Sequence, residues 1–316
     1  MKKIAVIGEI LVEIMADTVG VGFAEPQPLT GPFPSGAPAI FADQAARLGH
    51  PVGILSAVGD DDFGRINLKR LARDGVDVSG VHVDPDRPTG SAFVRYRADG
   101  SRDFVFNIRH SACGQVAMNP VAERLLETAD HLHVMGSSLS GAEFIRINVE
   151  AAGLIKSRGG TVSFDPNLRK EMLSAPGMAD AMRRILAMTD LFLPSGEELT
   201  LLTEAKDSAG AVAELFRGGV TGLVHKNGSD GARYCDASDT CFVPAFEVDE
   251  IDPTGAGDCF GGAFTALWLR GTPPREALAL ACAAGALAVT RRGPMEGVSD
   301  LATIERFMRA NGEAPE

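Results

Sequence analysis

The sequence predicts an α/β protein in which a mainly parallel central sheet is flanked by helices and partly covered by a small β-sheet lid. Three observations lead there. From Asn119 onward, short apolar runs bounded by glycine or polar turns alternate with stretches of helical spacing, the βα rhythm of a parallel sheet. Earlier, Thr89 to Ala112 breaks that rhythm with two alternating segments about Asp99-Gly100, a hairpin signal. Towards the C-terminus, Glu250 to Phe264 (EIDPTGAGDCFGGAF) passes from a polar, glycine-rich turn straight into an apolar helix.

Taken in order, Lys3 to Gly8 is an apolar run ending in glycine, as central parallel strands do. Glu13, five residues on, is expected at that strand's carboxyl end, where open α/β sheets bind ligands; it is either solvated or accepts a hydroxyl. Ala16 to Ser35, rich in Gly and Pro and without periodicity, reads as an excursion belonging to a lid. Pro34 to Gly49 reads as a glycine turn feeding a helix, with Pro38 near its first position and Gly49 past its end. Val52 to Gly64 is a strand and polar turn, and Phe63 to Asp74 has helical spacing. Asp60, Asp61 and Asp62 are expected to cap that helix, a metal site being the alternative.

Helices to Ala129, from Gly141 to Arg158 and near Met178 to Met188 then alternate with strands starting at His131, Thr161 and Leu191. His131 and His133 share one strand face and, with no cysteine nearby, read as structural. Asp165, Asn167 and Arg169 follow a strand end and either hold hydroxyls and charge or form an Asx-turn with a surface arginine. Glu197 and Glu198 open a helix and match its dipole, while Glu198 also suits a cation held through water. Leu223 to Cys235 gives a strand and a Gly-rich turn fit to line a nucleotide, with Lys226 near its phosphates. Arg233 to Val243 reads as a hairpin that would set Cys235 opposite Cys241, within reach of a disulfide. Ala277 to Val289, apolar all round, is expected to wall the glycine-rich helix start.

The glycine-rich turn is the candidate for chemistry. Thr254 stands where an N-cap would, so the N–H groups of Gly255, Ala256 and Gly257 fall among the unpaired donors of a first helical turn. Small residues let a phosphate approach the main chain, and the helix dipole adds about half a positive charge there. Asp258 is either a dipole partner or a group placed to take a proton.

Composition excludes several classes. The chain has 316 residues, 45% hydrophobic and 23% charged, and a formal charge of −12 with no basic run to offset it, which argues against a nucleic-acid surface. The longest apolar stretch is too short to span a bilayer, so no membrane partner is expected. No targeting signal precedes the first strand, and five scattered cysteines without a CxxC fit the cytoplasm. No repeat or linker appears, and one domain spanning 1–316, with lid segments at about 12–35 and 89–112, is the simplest partition.

Together these residues resemble the ribokinase, or PfkB, family of carbohydrate kinases. DPTGAGD is similar to that family's C-terminal signature, and SGAPAIFADQAARLG with VGDDDFG to its N-terminal one, in order over nearly the whole chain. The resemblance implies a ribokinase-like three-layer fold, ATP with Mg²⁺, and a lid that forms a homodimer clasp. It implies Asp258 as the catalytic base and Gly255, Ala256 and Gly257 as the anion hole. Around the sugar it places Glu13, Gly36, Ala37, Asn107, Arg109, Asp165, Asn167 and Arg169. On the nucleotide side it places Ser195, Lys226, Gly228, Gly231 and Cys282. Glu198 is implied near Mg²⁺ through water, and Asp252 near a monovalent cation such as K⁺.

Three positions depart from the pattern. Ile40 stands where relatives commonly carry an Asn that contacts the sugar, and Ser195 to Glu198 keep only the glutamate of an Asn-x-x-Glu motif. Arg109 lies one place late relative to the Tyr-Arg pair of 2-keto-3-deoxygluconate kinases, and in a strand one place reverses the face. A neutral ketohexose such as fructose or tagatose is therefore the expected acceptor, with 2-keto-3-deoxygluconate the alternative and ribose or a nucleoside below it. A non-catalytic sugar or nucleotide sensor is the rival from another class. A Rossmann dehydrogenase is excluded because GEILVE lacks GxGxxG.

Overall fold

The computed structural model describes residues 1–312 apart from Gly100, Ser140 and 169–176. The chain begins with β1 (Ile4–Ile7), β2 (Leu11–Ala16) and β3 (Leu29–Ser35), then α1 (Ala37–Arg47), β4 (Val52–Gly59), α2 (Asp62–Asp74) and β5 (Val81–Asp84). The hairpin β6 (Gly90–Tyr96) and β7 (Arg102–Asn107) follows. Next come α3 (Pro120–Glu127), β8 (His131–Met135), α4 (Ala142–Ser157), β9 (Thr161–Asp165), α5 (Met178–Leu186) and β10 (Leu191–Phe192). The last part holds α6 (Glu198–Leu201), α7 (Ser208–Arg217), β11 (Gly222–Lys226), β12 (Ala232–Asp236), β13 (Thr240–Val243), α8 (Ala256–Leu269), α9 (Pro274–Val289) and α10 (Leu301–Ala310).

Nine strands form one sheet in the order β13-β12-β11-β10-β9-β8-β1-β4-β5, parallel from β5 to β11 and antiparallel at β12 and β13. Its two faces bury different sets of side chains because the pleat alternates. Ile4 and Val6 of β1 enter the core shared with α1, α8 and α9, whereas Ala5 and Ile7 enter the one shared with α3, α4, α5 and α7. That is the ribokinase-like α/β arrangement of helix, sheet and helix layers.

On the α8 side, the stripe His131, His133 on β8 and Thr161, Ser163, Asp165 on β9 is polar. The two histidines are fully buried and share Ser163: His131 Nε2 and His133 Nδ1 each lie within hydrogen-bond distance of its Oγ, at 2.8 and 2.7 Å. His131 Nδ1 meets Thr161 Oγ1 at 2.8 Å, and the His133 ring stacks on Phe41 with centroids 3.6 Å apart. They are structural, as their strand spacing suggested.

The small sheet, β3-β2-β6-β7, is built from the two segments that broke the βα rhythm. The stretch before Ser35 is not irregular throughout: Leu29–Ser35 is a strand, and its Gly and Pro residues sit on a sheet edge, where a missing ladder donor costs little. Glu13 lies within β2 of this lid, not at the end of a central strand.

One other expectation holds and one changes. Asp61 does cap α2, accepting from the Gly64 N–H at 2.8 Å. Cys241, however, pairs with Tyr234, and Cys235 with Thr240, so the two cysteines are offset by one place and all five are free. Cys235 enters one core and Cys241 packs on the other, so no disulfide joins them.

Candidate active site

The carboxyl ends of the parallel strands, the lid and the start of α8 enclose a cleft of about 1400 Å³. Its floor is the glycine-rich turn. Gly255, not Thr254, is the N-cap of α8; it adopts φ 83°, and a side chain there would meet the Pro294 carbonyl oxygen at 2.5 Å. The helix therefore starts at Ala256, and Asp258 stands at its third position with its carboxyl group at the cleft. Gly255, Gly257 and Asp258 all line the cavity.

Asp258 is held from the neighbouring strand. Asn167, just past β9, adopts φ 41° and donates from Nδ2 to Asp258 Oδ1 at 3.0 Å. Its own N–H donates to Asp165 Oδ1 at 3.1 Å, the Asx-turn the sequence allowed. Asp165 Oδ2 accepts from Lys226 Nζ in a buried ion pair, which leaves the ammonium beside Gly257. A buried charge pair is retained only where both partners are satisfied, and here the pair fixes a cation next to the helix start. Glu198 is also buried: Oε1 accepts from the Leu168 N–H at 2.6 Å and Oε2 from the Ser195 N–H at 2.7 Å, pinning two strand-end loops. Burial, then the charge of Asp165, pushes the Glu198 carboxyl up.

On the lid side Glu13 is buried, with Ser35 Oγ donating to Oε1 at 2.8 Å, and Gly36 (φ 115°) opens α1 against the Glu9 carbonyl. Glu13, Gly36, Ala37 and Ile40 line the cleft together with Asp165, Asn167, Ser195, Glu198 and Lys226. Arg109 lines it too, from the turn after β7 and not from a strand; the strand-face argument against it does not apply, because β7 ends at Asn107. Asn107 lies on the other face of β7, donating to Ser91 Oγ at 3.3 Å, and borders a second, smaller cavity. Gly228, Gly231 and Cys282 stand outside the cleft lining; Gly228 and Gly231 shape the β11–β12 turn and Cys282 joins the α9 core. Arg169 lies outside the described residues.

Sequence reading missed two residues. Glu9 lines the cleft and accepts from Ser138 Oγ at 2.7 Å and Ser137 Oγ at 3.3 Å; it directly follows the first strand's glycine, the signal spent on Glu13. Arg102 begins β7, and Arg102, Phe104 and Phe106 share the face turned to the cleft. Its Nη1 donates to Thr254 Oγ1 at 2.6 Å.

Residues 1–301 match the profile of the pfkB family carbohydrate kinase. The chain belongs to that family. As a pfkB family member it is a carbohydrate kinase, a phosphotransferase acting on an alcohol group of a sugar. The kinase is 34% identical to a fructokinase of Klebsiella pneumoniae over 97% of this chain and 99% of that protein. It is 33% identical to a 2-dehydro-3-deoxygluconokinase of Thermoproteus tenax over 98% and 95% of the two chains. The crystal structure of an E. coli protein described as a putative Ribokinase II, in complex with ATP and Mg²⁺, superposes with a TM-score of 0.93 at 49% identity, covering 98% of this chain and all of that one. A double mutant of a fructokinase from Vibrio cholerae, crystallised with fructose, ADP and potassium ion, superposes with a TM-score of 0.81 at 27% identity, covering 97% of this chain and 98% of that one.

Proposed function

We propose that this kinase uses ATP to phosphorylate the primary hydroxyl of a neutral ketose, fructose or tagatose before others. The observation that carries the reading is the juxtaposition of Asp258 with the α8 start: a carboxylate held by Asn167 beside amide donors at the floor of the cleft. A cleft of about 1400 Å³ exceeds the roughly 300–1,000 Å³ of a single-ligand pocket, which suits a sugar and a nucleotide together. The acceptor hydroxyl is oriented by Asp258, which takes its proton as the phosphoryl group leaves. The Gly255–Gly257 amides and Lys226 face the charge that develops on the transferred group. Glu13 and Gly36 bound the sugar from the lid side.

Mg²⁺ suits the donor set through phosphate and water more than through the protein. Both Glu198 oxygens already accept backbone N–H groups, and no cluster of three acidic, His or Cys side chains occurs among the described residues. Magnesium retains waters and takes one or two carboxylates plus substrate phosphates, so Glu198 would meet it through water, and the ion would neutralise charge on the phosphates. Asp252 is fully buried with three donors on its two oxygens, which leaves about one lone pair for a monovalent cation.

A second reading, 2-keto-3-deoxygluconate as acceptor, is favoured by Arg109 at the cleft edge, where a guanidinium suits a carboxylate. A coupled ADP-release assay over fructose, tagatose, 2-keto-3-deoxygluconate, ribose and adenosine decides. Turnover at least tenfold higher with a neutral ketose supports the first reading, the reverse supports the second, and no ADP with any acceptor leaves a non-catalytic binder. The lid's outer strand β7 exposes Val105, and pairing of two lids into a homodimer would cover it; a monomer in sedimentation velocity removes that dimer. The free cysteines suit a cytoplasmic site of action.

A further inference from the structure

Beside the reacting groups, and used by none of them, lies a buried carboxylate that both walls of the glycine-rich turn depend on. Asp252 has no exposed surface. Its Oδ1 accepts from the Thr254 N–H at 3.0 Å, on the chain leading into Gly255. Its Oδ2 accepts from the Gly293 N–H at 3.0 Å, and the next residue's carbonyl, Pro294 O, is the group pressed against Gly255. Asp252 thus fixes the two segments between which the N-cap of α8 is clamped.

The third donor comes from the lid. Tyr96, the last residue of β6, donates its Oη–H to Asp252 Oδ1 at 3.1 Å. Across the ladder Tyr96 pairs with Arg102, whose Nη1 reaches Thr254 Oγ1 at 2.6 Å, so one cross-strand pair grips both residues that flank Pro253. Burial, then the Asp252 charge, pushes the phenol up from its ordinary range, so it remains a donor at any working pH.

We propose that Tyr96 is a positioning residue: resting on the kinase reading above, it acts through Asp252 to hold the α8 start in the geometry that receives the nucleotide's outermost phosphate. A lid strand so attached makes the phosphate site part of the lid's own docking. A buried carboxylate deprived of one donor draws its remaining partners out of place. That displaces the Thr254 or Gly293 amide and loosens the clamp on Gly255.

The test is calorimetric binding of AMP-PNP and of ADP to wild type, Tyr96→Phe, Asp252→Asn and the double variant, with kcat and sugar KM measured alongside. Tyr96→Phe should weaken AMP-PNP on the order of tenfold, the loss of one hydrogen bond to a charged group, while ADP changes less than about twofold. Its loss of turnover should fall on kcat and not on sugar KM. On the Asp252→Asn background the same substitution should do nothing further, since coupled residues are non-additive. Equal weakening of both nucleotides, an effect confined to sugar KM, or full additivity would overturn the role of Tyr96 while leaving the kinase reading intact. Wild type that binds neither nucleotide would remove both.

Discussion

Asp258 and Asn167 show how little chemistry a single residue carries alone. The carboxylate is at the third position of α8 and its orientation is set by an amide 91 residues away in sequence. Asp258→Asn preserves shape and removes the proposed proton acceptor; kcat should fall by at least about a hundredfold with an unchanged melting temperature. Near-normal turnover in the purified variant would take Asp258 out of the role. Asn167→Gly keeps the φ 41° backbone and deletes the amide, so the loss should be smaller, about tenfold in kcat, with ATP KM unchanged. If Asn167 contacts the sugar instead, as the sequence first suggests, sugar KM will rise and kcat will hold.

At the scale of elements, α8 is the apolar helix the sequence describes, buried on nearly every side between α1 and α9, and its small residues have unequal duties. A methyl at Gly262 would stand 2.5 Å from the Phe41 carbonyl of α1, which is backbone and cannot give way; one at Gly261 would sit 3.6 Å from the Phe41 ring, an ordinary contact. Gly262→Ala should therefore cost about 1–3 kcal/mol in urea unfolding, as overpacking does, whereas Gly261→Ala should be neutral or stabilising by up to about 1 kcal/mol from helix propensity. Equal effects would mean the α1–α8 approach is looser than these distances. Local pattern made the elements legible: period-two alternation revealed β6 and β7, and the glycine-rich turn announced the start of α8. Pattern failed where the determinant was distant or masked. The Gly and Pro of β3 hid its alternation, and hairpin symmetry suggested a Cys235–Cys241 pairing that the register refuses. Lys226 was legible as a cation but not as the partner of Asp165, 61 residues earlier, because no local rule connects strand ends across a sheet.

The molecule as a whole responds to pH through groups the reaction does not use. Burial lowers His131 to about 3, His133 well below its ordinary value and His50 to about 4. Each is neutral in the native state but takes a proton when unfolded below about 6.5, so their stability contribution is present at pH 7 and lost as pH falls. Against them stands Asp43, raised to about 8 by burial, with the Arg70 and Asp74 charges beside it. A carboxyl raised in the native state stabilises most below its unfolded value and loses that contribution as pH rises, the opposite sign. From pH 7 to 5 three histidines each remove about 2 kcal/mol, whereas Asp43 returns about 3 kcal/mol, so wild type should lose a net of about 2–3 kcal/mol. The carboxylates held low, such as Asp61 and Asp77, discharge below this window and do not contribute. Asp43→Asn deletes the opposing contribution, and its loss over the same interval should be steeper by about 3 kcal/mol. Urea unfolding of both proteins at pH 7 and pH 5 measures this directly. Equal slopes in the two would mean that Asp43 is already ionised in the folded protein, its charge carried by Arg70 across the α1–α2 contact.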